Sequence, residues 1–473
     1  METAIWWIRR DLRLHDNQAL NQALSSAERV IPLFILDETL WSSPYVGEKR
    51  LAFMLASLRS LAEDIEACGS TLVVRRGKPQ QVLGELVSEG HAGQIFAEED
   101  FSPYAKRRDA EIINQLPVRF THGLTVQHPD WVKKADGDPY TVFTPFSRAW
   151  KALAPPSDGS LLPPPAGIPT PTGLTSEPLP ERPVLPDEIP FSPGEGKALR
   201  RLQAFTEGDD APVYSYHHQR NRVDLQATSG LSPYLRFGML SARQAIVAAR
   251  AALERAPKGE SRKGAETWLQ ELIWREFFIA ILHHFPQVRE ESFRTDLRSI
   301  RWVNDETQYQ AWTQGCTGYP IVDAAMRQLM AIGWMHNRAR MVVASFLVKD
   351  LLIDWRWGEY WFMQHLIDGD PSANNGGWQW SAGTGTDAAP YFRVFNPTLQ
   401  GAKHDPEGDY IRRWIPELSA VPTKRIHQPW KMTEAEQRDC GVVVGKHYPA
   451  PIIDHGWARE RILAEYKRAR QEV

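Results

Sequence analysis

The residues best able to do chemistry crowd toward the end of the chain. Asp368-Gly369-Asp370 is followed by Asn374-Asn375-Gly376-Gly377-Trp378-Gln379-Trp380. Two carboxylates around a glycine can accept from an N–H and a hydroxyl of a heterocyclic cofactor. Asp-x-Asp also opens calcium loops, but the terminal Glu of such a loop is missing at its spacing, so no metal is expected. Gly376-Gly377 would let backbone approach a flat ring closely.

Three further clusters lie upstream. Trp268, Glu271, Arg275 and Phe278 share one helix face, with Trp274 beside it. Glu and Arg on an inward face must pair or bind something. The face is therefore either a buried ion pair or a pocket wall with a stacking ring, an acceptor and a guanidinium. In Gly333-Trp334-Met335-His336-Asn337-Arg338-Ala339-Arg340-Met341, Asn337 and Met341 stand one turn apart. The amide can read a base edge or amide ring, and the thioether offers a soft apolar contact. His336, alone, is read as structural. Thr228-Ser229-Gly230-Leu231-Ser232 precedes an apolar helical run, so it is a capped helix start or an anion site. Tyr216, His217, His218, Gln219, Arg220 and Asn221, just upstream, could close over a phosphate-bearing ligand.

Elements that could position these residues follow from periodicity. Strand patterns at Ala4–Ile8, Val30–Leu36, Thr71–Val74 and Gln94–Ala97 alternate with helical patterns near Glu48–Ala67 and Tyr104–Leu116. That alternation predicts a parallel, Rossmann-like α/β sheet over residues 1–130 with helices on both faces. No G-x-G-x-x-G follows the first strand, which disfavours a dinucleotide site there and, with it, a flavin dehydrogenase. Residues 131–195 read as an interdomain linker, because 13 of the 35 prolines fall within 155–193. Residues 196–473 read as all-α, with helices at Ala265–His284, Ile321–Ile332, Arg338–Leu352 and Trp457–Gln471.

The 473 residues carry a net charge of −3, so any nucleic-acid contact must use a local basic patch. Three scattered cysteines fit a reducing cytoplasm. No membrane span or signal peptide is expected. The 18 tryptophans imply either large aromatic cores or stacking and redox roles.

In order and spacing, these segments resemble the photolyase/cryptochrome family, and Trp7-Ile8-Arg9-Arg10-Asp11-Leu12-Arg13-Leu14-His15-Asp16-Asn17 is similar to its opening motif. The resemblance covers nearly the whole chain except the proline-rich linker. It implies a helical domain holding U-shaped FAD through Tyr216, Thr228 to Ser232, Trp268, Arg275 and Asp368 to Asp370, with Asn374 facing the flavin N5. It implies DNA or lesion contacts at Arg220, Glu271, Trp274, Asn337, Arg338, Met341, Trp380 and Gln400. Glu271 and Asn337 would bond the lesion bases during catalysis. Trp302, Trp355 and Trp378 match a relay that photoreduces the flavin.

The implied activity is blue-light-driven repair of cyclobutane pyrimidine dimers in DNA, by a monomer that contains no metal. Asn337 and Met341 match the class I cyclobutane-dimer branch rather than the six-four branch, which usually places histidine at one of them. Asn374, Trp274 and Trp380 do not follow plant cryptochromes, leaving a cryptochrome-like photoreceptor as the alternative. Family members also bind an antenna chromophore in the α/β domain. Tyr104-Ala105 replaces the Asn-Glu pair of the folate type, so a deazaflavin is favoured, with Asp37, Arg50 and Asp100 at the matching contact positions.

Overall fold

Strands buried on both faces read as near-continuous apolar runs, and the first two strands of this protein do so. The computed structural model describes residues 3–89, 91–390 and 392–472. Strands β1 (Thr3–Ile8), β2 (Arg29–Leu36), β3 (Val73–Arg76), β4 (Gln94–Glu98) and β5 (Val118–Thr121) form one parallel sheet in the order β3-β2-β1-β4-β5. Register is set from Ala4 opposite Val30 through Ile8 opposite Phe34. The fifth strand was not anticipated. Its four residues, Val-Arg-Phe-Thr, are too short and too polar to raise a strand signal. Beyond it the described residues are helical apart from two isolated bridges. The α/β-then-helical architecture is therefore the one expected. No helix among the described residues is long and apolar enough to cross a membrane.

The chain divides into two compact units that cut across the expected boundaries at 130 and 195. A sheet unit comprises Met1–His217, Ser229–Pro286 and Ile367–Ser372; a helical unit comprises His218–Thr228, Gln287–Leu366 and Ala373–Val473.

In the sheet unit, the proline-rich stretch holds no regular element beyond the turn Asp158–Ser160. It is nevertheless tied down. Val30 N donates to Pro169 O (2.7 Å), and Ile168 N donates to Cys68 O (3.0 Å). Val74 N donates to Ser176 Oγ (2.9 Å) while Glu177 N donates to Val74 O (2.9 Å). The two bonds to Val74 cover the open side of β3, an edge that would otherwise expose unpaired backbone groups. The stretch expected to lie between them, residues 131–195, also contains a helix, Phe143–Ala152.

In the helical unit, one core gathers Trp312, Trp355, Phe362 and Trp378 among aliphatic side chains from Pro320–Ile332 and Asn337–Ser345. The helix expected over Arg338–Leu352 stops at Ser345. The chain widens into a π-turn over Phe346–Asp350 and leaves it through Leu352, whose φ is +55°. Such wide turns accommodate side chains that a regular helix would misdirect. Here Lys349 is buried and its Nζ donates to Arg393 O at 2.6 Å.

Within this unit, Trp378 on Pro371–Ala382 lies against Gly358 on Trp355–His365, where a Cβ would fall 2.0 Å from the indole. Gly358→Ala would gain about 1 kcal/mol of helix propensity but must displace a buried ring, an overpacking cost of about 1–3 kcal/mol or more. The variant is expected to unfold at lower urea concentration than the parent. An unchanged or higher midpoint would show that Trp378 can move.

Candidate cofactor and nucleic-acid sites

In the sheet unit, the Asp368-Gly369-Asp370 turn is held by arginines from three separate segments. Arg10 Nη2 pairs with Asp370 Oδ2 at 2.6 Å. Arg236 Nε and Arg50 Nη1 both donate to Gly369 O, at 2.8 and 3.2 Å. Asp370 Oδ1 accepts from Ser372 N at 2.9 Å, steadying the start of Pro371–Ala382. Arg10 also faces Asp100 at 3.5 Å. Burial opposes the Asp100 charge, but Arg10 and then Arg9 outweigh it and hold that carboxyl at about 2. Positive charge is in excess here. Burial, followed by repulsion from Arg10, pushes Arg236 down to about 9, and its buried Nη1 has no hydrogen-bond partner among the described residues. Burial likewise lowers Arg275, with Asp370 pulling the other way; its Nη1 donates to Leu124 O at 3.1 Å.

The neighbouring expected residues fall into two sets. Tyr216 and Trp268 are buried and meet through Phe205, with ring centroids 5.9 and 5.2 Å away. Ser229 to Ser232 lead into the short helix Ser232–Phe237, which no side chain caps at Leu231 and which ends at Gly238, φ +68°. A Cβ on Gly238 would lie 1.8 Å from Arg10 O, so only glycine fits. On Glu260–His284, Glu271 is half-buried, and Trp274 stacks on Phe143 with centroids 3.7 Å apart and planes 7° apart. One face of Trp274 is thus already covered by protein.

Two residues in this unit escaped sequence reasoning. Arg236 sits inside an apolar run, and only its place four residues past Ser232 hinted at a role. Glu276 is buried on the core side of Glu260–His284 and accepts from Val126 N, Gln127 N and Trp150 Nε1 at 2.5, 3.2 and 2.5 Å. It orders the loop after the sheet rather than a ligand.

The antenna positions are engaged internally. Asp37 accepts from the Tyr104 hydroxyl and caps Thr39 N at 3.1 Å. Arg50 serves the Gly369 carbonyl, and Asp100 serves Arg10.

In the helical unit, Arg338 Nη2 and Nε donate to Asn221 Oδ1 at 2.7 and 3.1 Å. Burial lowers Arg338, and repulsion from Arg220 and Arg393 adds to it. Three guanidiniums thus share one electropositive zone, and Arg393 was not foreseen. Asn337 is exposed at the start of Asn337–Ser345, with Nδ2 3.9 Å from Met341 Sδ, as their spacing implied. His336 caps that helix, accepting from Arg338 N at 3.1 Å, and burial holds it at about 4. Met341 and Trp380 line one small cleft with Arg393 and Phe395. Gln400 lies on Pro397–His404 with a buried Oε1 that accepts no hydrogen bond among the described residues. Thr228 is half-buried.

Asn374 Nδ2 donates to Glu359 O and Oε1 at 2.9 and 3.1 Å. The amide orientation is therefore fixed. Trp355 and Trp378 are 1% and 2% exposed, whereas Trp302 is half-buried at the margin of the same core. Trp378 Nε1 is buried with no partner among the described residues.

These observations fit the expected FAD. An excess of guanidinium with an orphaned Arg236 Nη1 suits a diphosphate. A Cβ on Gly377 would meet nothing within 4 Å, which suits a flat ring lying against backbone.

Comparison with known proteins agrees. Residues 4–169 match the family model for DNA photolyase, and residues 268–468 match that for the FAD binding domain of DNA photolyase. A deoxyribodipyrimidine photo-lyase of Agrobacterium fabrum is 40% identical, spanning 98% of this chain and 97% of the relative. That of Escherichia coli is 38% identical over the full length of both. Among solved structures, a class III photolyase from Agrobacterium tumefaciens superposes with a TM-score of 0.92 at 37% identity, covering 100% of this chain and 98% of that one. A Synechocystis cryptochrome gives 0.87 at 31%, covering 98% and 99%. A photolyase from Sulfolobus tokodaii with two FAD molecules gives 0.81 at 32%, covering 98% and 100%. The class III neighbour fits the expected class I branch less well. With both family models matched in order and relatives aligned end to end, the chain belongs to the DNA photolyase family and is an FAD-binding enzyme of it.

Proposed function

We propose that this enzyme repairs cyclobutane pyrimidine dimers in DNA under blue light, as a cytoplasmic monomer. The observation that carries the reading is the electropositive zone of Arg220, Arg338 and Arg393, on the unit where Met341 and Trp380 stand together beside Arg393. Concentrated positive charge beside an indole and a thioether suits a pyrimidine pair flanked by phosphates. The lesion must leave the stack to reach such a site, and its distorted stacking lowers that cost.

FAD, when bound and reduced, would supply light-driven one-electron chemistry, in which an electron lent to the dimer returns once the two C–C bonds joining the bases have broken. Around it, the chain's own residues bind, orient and shield. Asn374, its amide anchored by Glu359, would offer its carbonyl oxygen to an N–H at the flavin N5. Glu271 and Asn337 hydrogen-bond the lesion bases. Trp274, with one face against Phe143, offers the dimer only its other face. The gradient from buried Trp378 and Trp355 to half-buried Trp302 suits a relay whose outer end can lose its proton to water. A second chromophore, a deazaflavin rather than a folate, is assigned to the sheet unit because Tyr104 occupies the folate position and bonds Asp37.

The likeness to a cryptochrome supports a second reading, a blue-light sensor without turnover. The two part in one assay. Reduced protein and an oligonucleotide with a single thymine cyclobutane dimer are split between blue light and darkness. Restored thymines only in the light support repair; none in either, with FAD bound, favours the sensor or a six-four lesion.

Variants locate the parts. Trp380→Ala should weaken lesion binding by about 1–3 kcal/mol while FAD stays bound, and undiminished affinity would remove Trp380 from the site. Arg338→Ala should reduce the salt dependence of DNA binding by about one phosphate contact. Trp302→Phe should block photoreduction of oxidised flavin yet leave repair by chemically reduced enzyme intact. Photoreduction at the parent rate would mean that the relay runs elsewhere.

A further inference from the structure

Away from these residues, the sheet unit concentrates imidazole. His122, His128, His283 and His284 gather beside Phe101 and Trp131, with centroids 5.5 Å apart for His122–His128 and 4.7 Å for His283–His284. His283 and His284 close the Glu260–His284 helix, and Asp130 lies in the turn Pro129–Trp131.

The ligand atoms of Asp130, His283 and His284 all lie within 4.8 Å of one another. Donors about 2.1 Å from a tetrahedral ion stand about 3.4 Å apart, and His283 Nε2 is already 3.5 Å from Asp130 Oδ2. His284 Nε2 is 3.3 Å from Pro129 O. Donating there leaves the Nδ1 lone pair for a ligand, and such outer hydrogen bonds orient metal-bound imidazoles. Lys133 Nζ takes Asp130 Oδ1 at 2.7 Å and leaves Oδ2 facing His283. Two ammoniums oppose a cation, Lys133 on the carboxylate and Lys106 at His283. Lys106 Nζ donates to His283 O at 3.2 Å and stands 3.4 Å from its Nδ1.

We propose that Asp130, His283 and His284 bind a borderline-soft divalent transition ion such as zinc, with water in the fourth position. The ion staples the Pro129–Trp131 turn to the end of the long helix.

The test uses the untagged, full-length protein, stripped of metal and titrated with cobalt(II). One equivalent should bind with the visible absorption of a low-coordinate nitrogen–oxygen site, and zinc should displace it. His283→Ala and His284→Ala should each weaken binding at least tenfold. Lys106→Met, which removes one of the two opposing charges, should tighten it severalfold, a gain that misfolding does not produce. Absence of a saturable cobalt signal, or equal binding by the double histidine variant, would overturn the proposal.

Discussion

The turn at Gly369-Asp370 carries more of this molecule than its two residues suggest. Arg236 and Arg50 share its carbonyl, and Arg10 binds its carboxylate. The same carboxylate steadies the first turn of Pro371–Ala382, the helix that bears Asn374, Trp378 and Trp380. Burying these guanidiniums is unfavourable: burial first, then repulsion from Arg10, lowers Arg236, and burial lowers Arg275. A buried Nη1 without a partner adds to that cost. Folds tolerate such local misfits chiefly where a ligand resolves them. An anionic cofactor group would do so here.

Downstream of the turn, the helical unit fixes its side chains by steric and hydrogen-bond constraints. Gly358 leaves room for one orientation of Trp378, and Glu359, the next residue, locks the Asn374 amide. Two consecutive residues on Trp355–His365 thus set a redox-capable indole and a polar contact together. Function and packing are hard to separate in this region because the same helix does both.

Much of this was legible in the sequence. Period and composition gave the parallel sheet and the helical remainder, and the Glu48–Ala67 helix appears with the bounds its pattern implied. The Asn337–Met341 spacing also translated directly into contact. What stayed hidden depends on long-range geometry. Arg236 and Arg393 matter through charges distant in sequence, which local periodicity does not register. Arg50 was expected as an antenna contact, whereas in the fold its Nη1 donates to the Gly369 carbonyl, a distant link that periodicity does not register. The π-turn at Phe346–Asp350 was invisible because its residues are as helix-compatible as those before it. Glu276 was passed over in favour of Glu271 because the faces of a helix whose charged and apolar residues are spread around its axis cannot be ranked from sequence.

The central claim is that the arginine-held turn is built for an anionic cofactor rather than for stability. Arg236→Met separates the two. FAD affinity and the melting temperature of the cofactor-free protein would be measured on the same preparation. The account predicts at least tenfold weaker FAD binding with a melting temperature equal to or above that of the parent, since a repelled, partly unpaired cation has been removed. Unchanged FAD affinity, with a lowered melting temperature, would contradict it and make the cluster a structural tie alone.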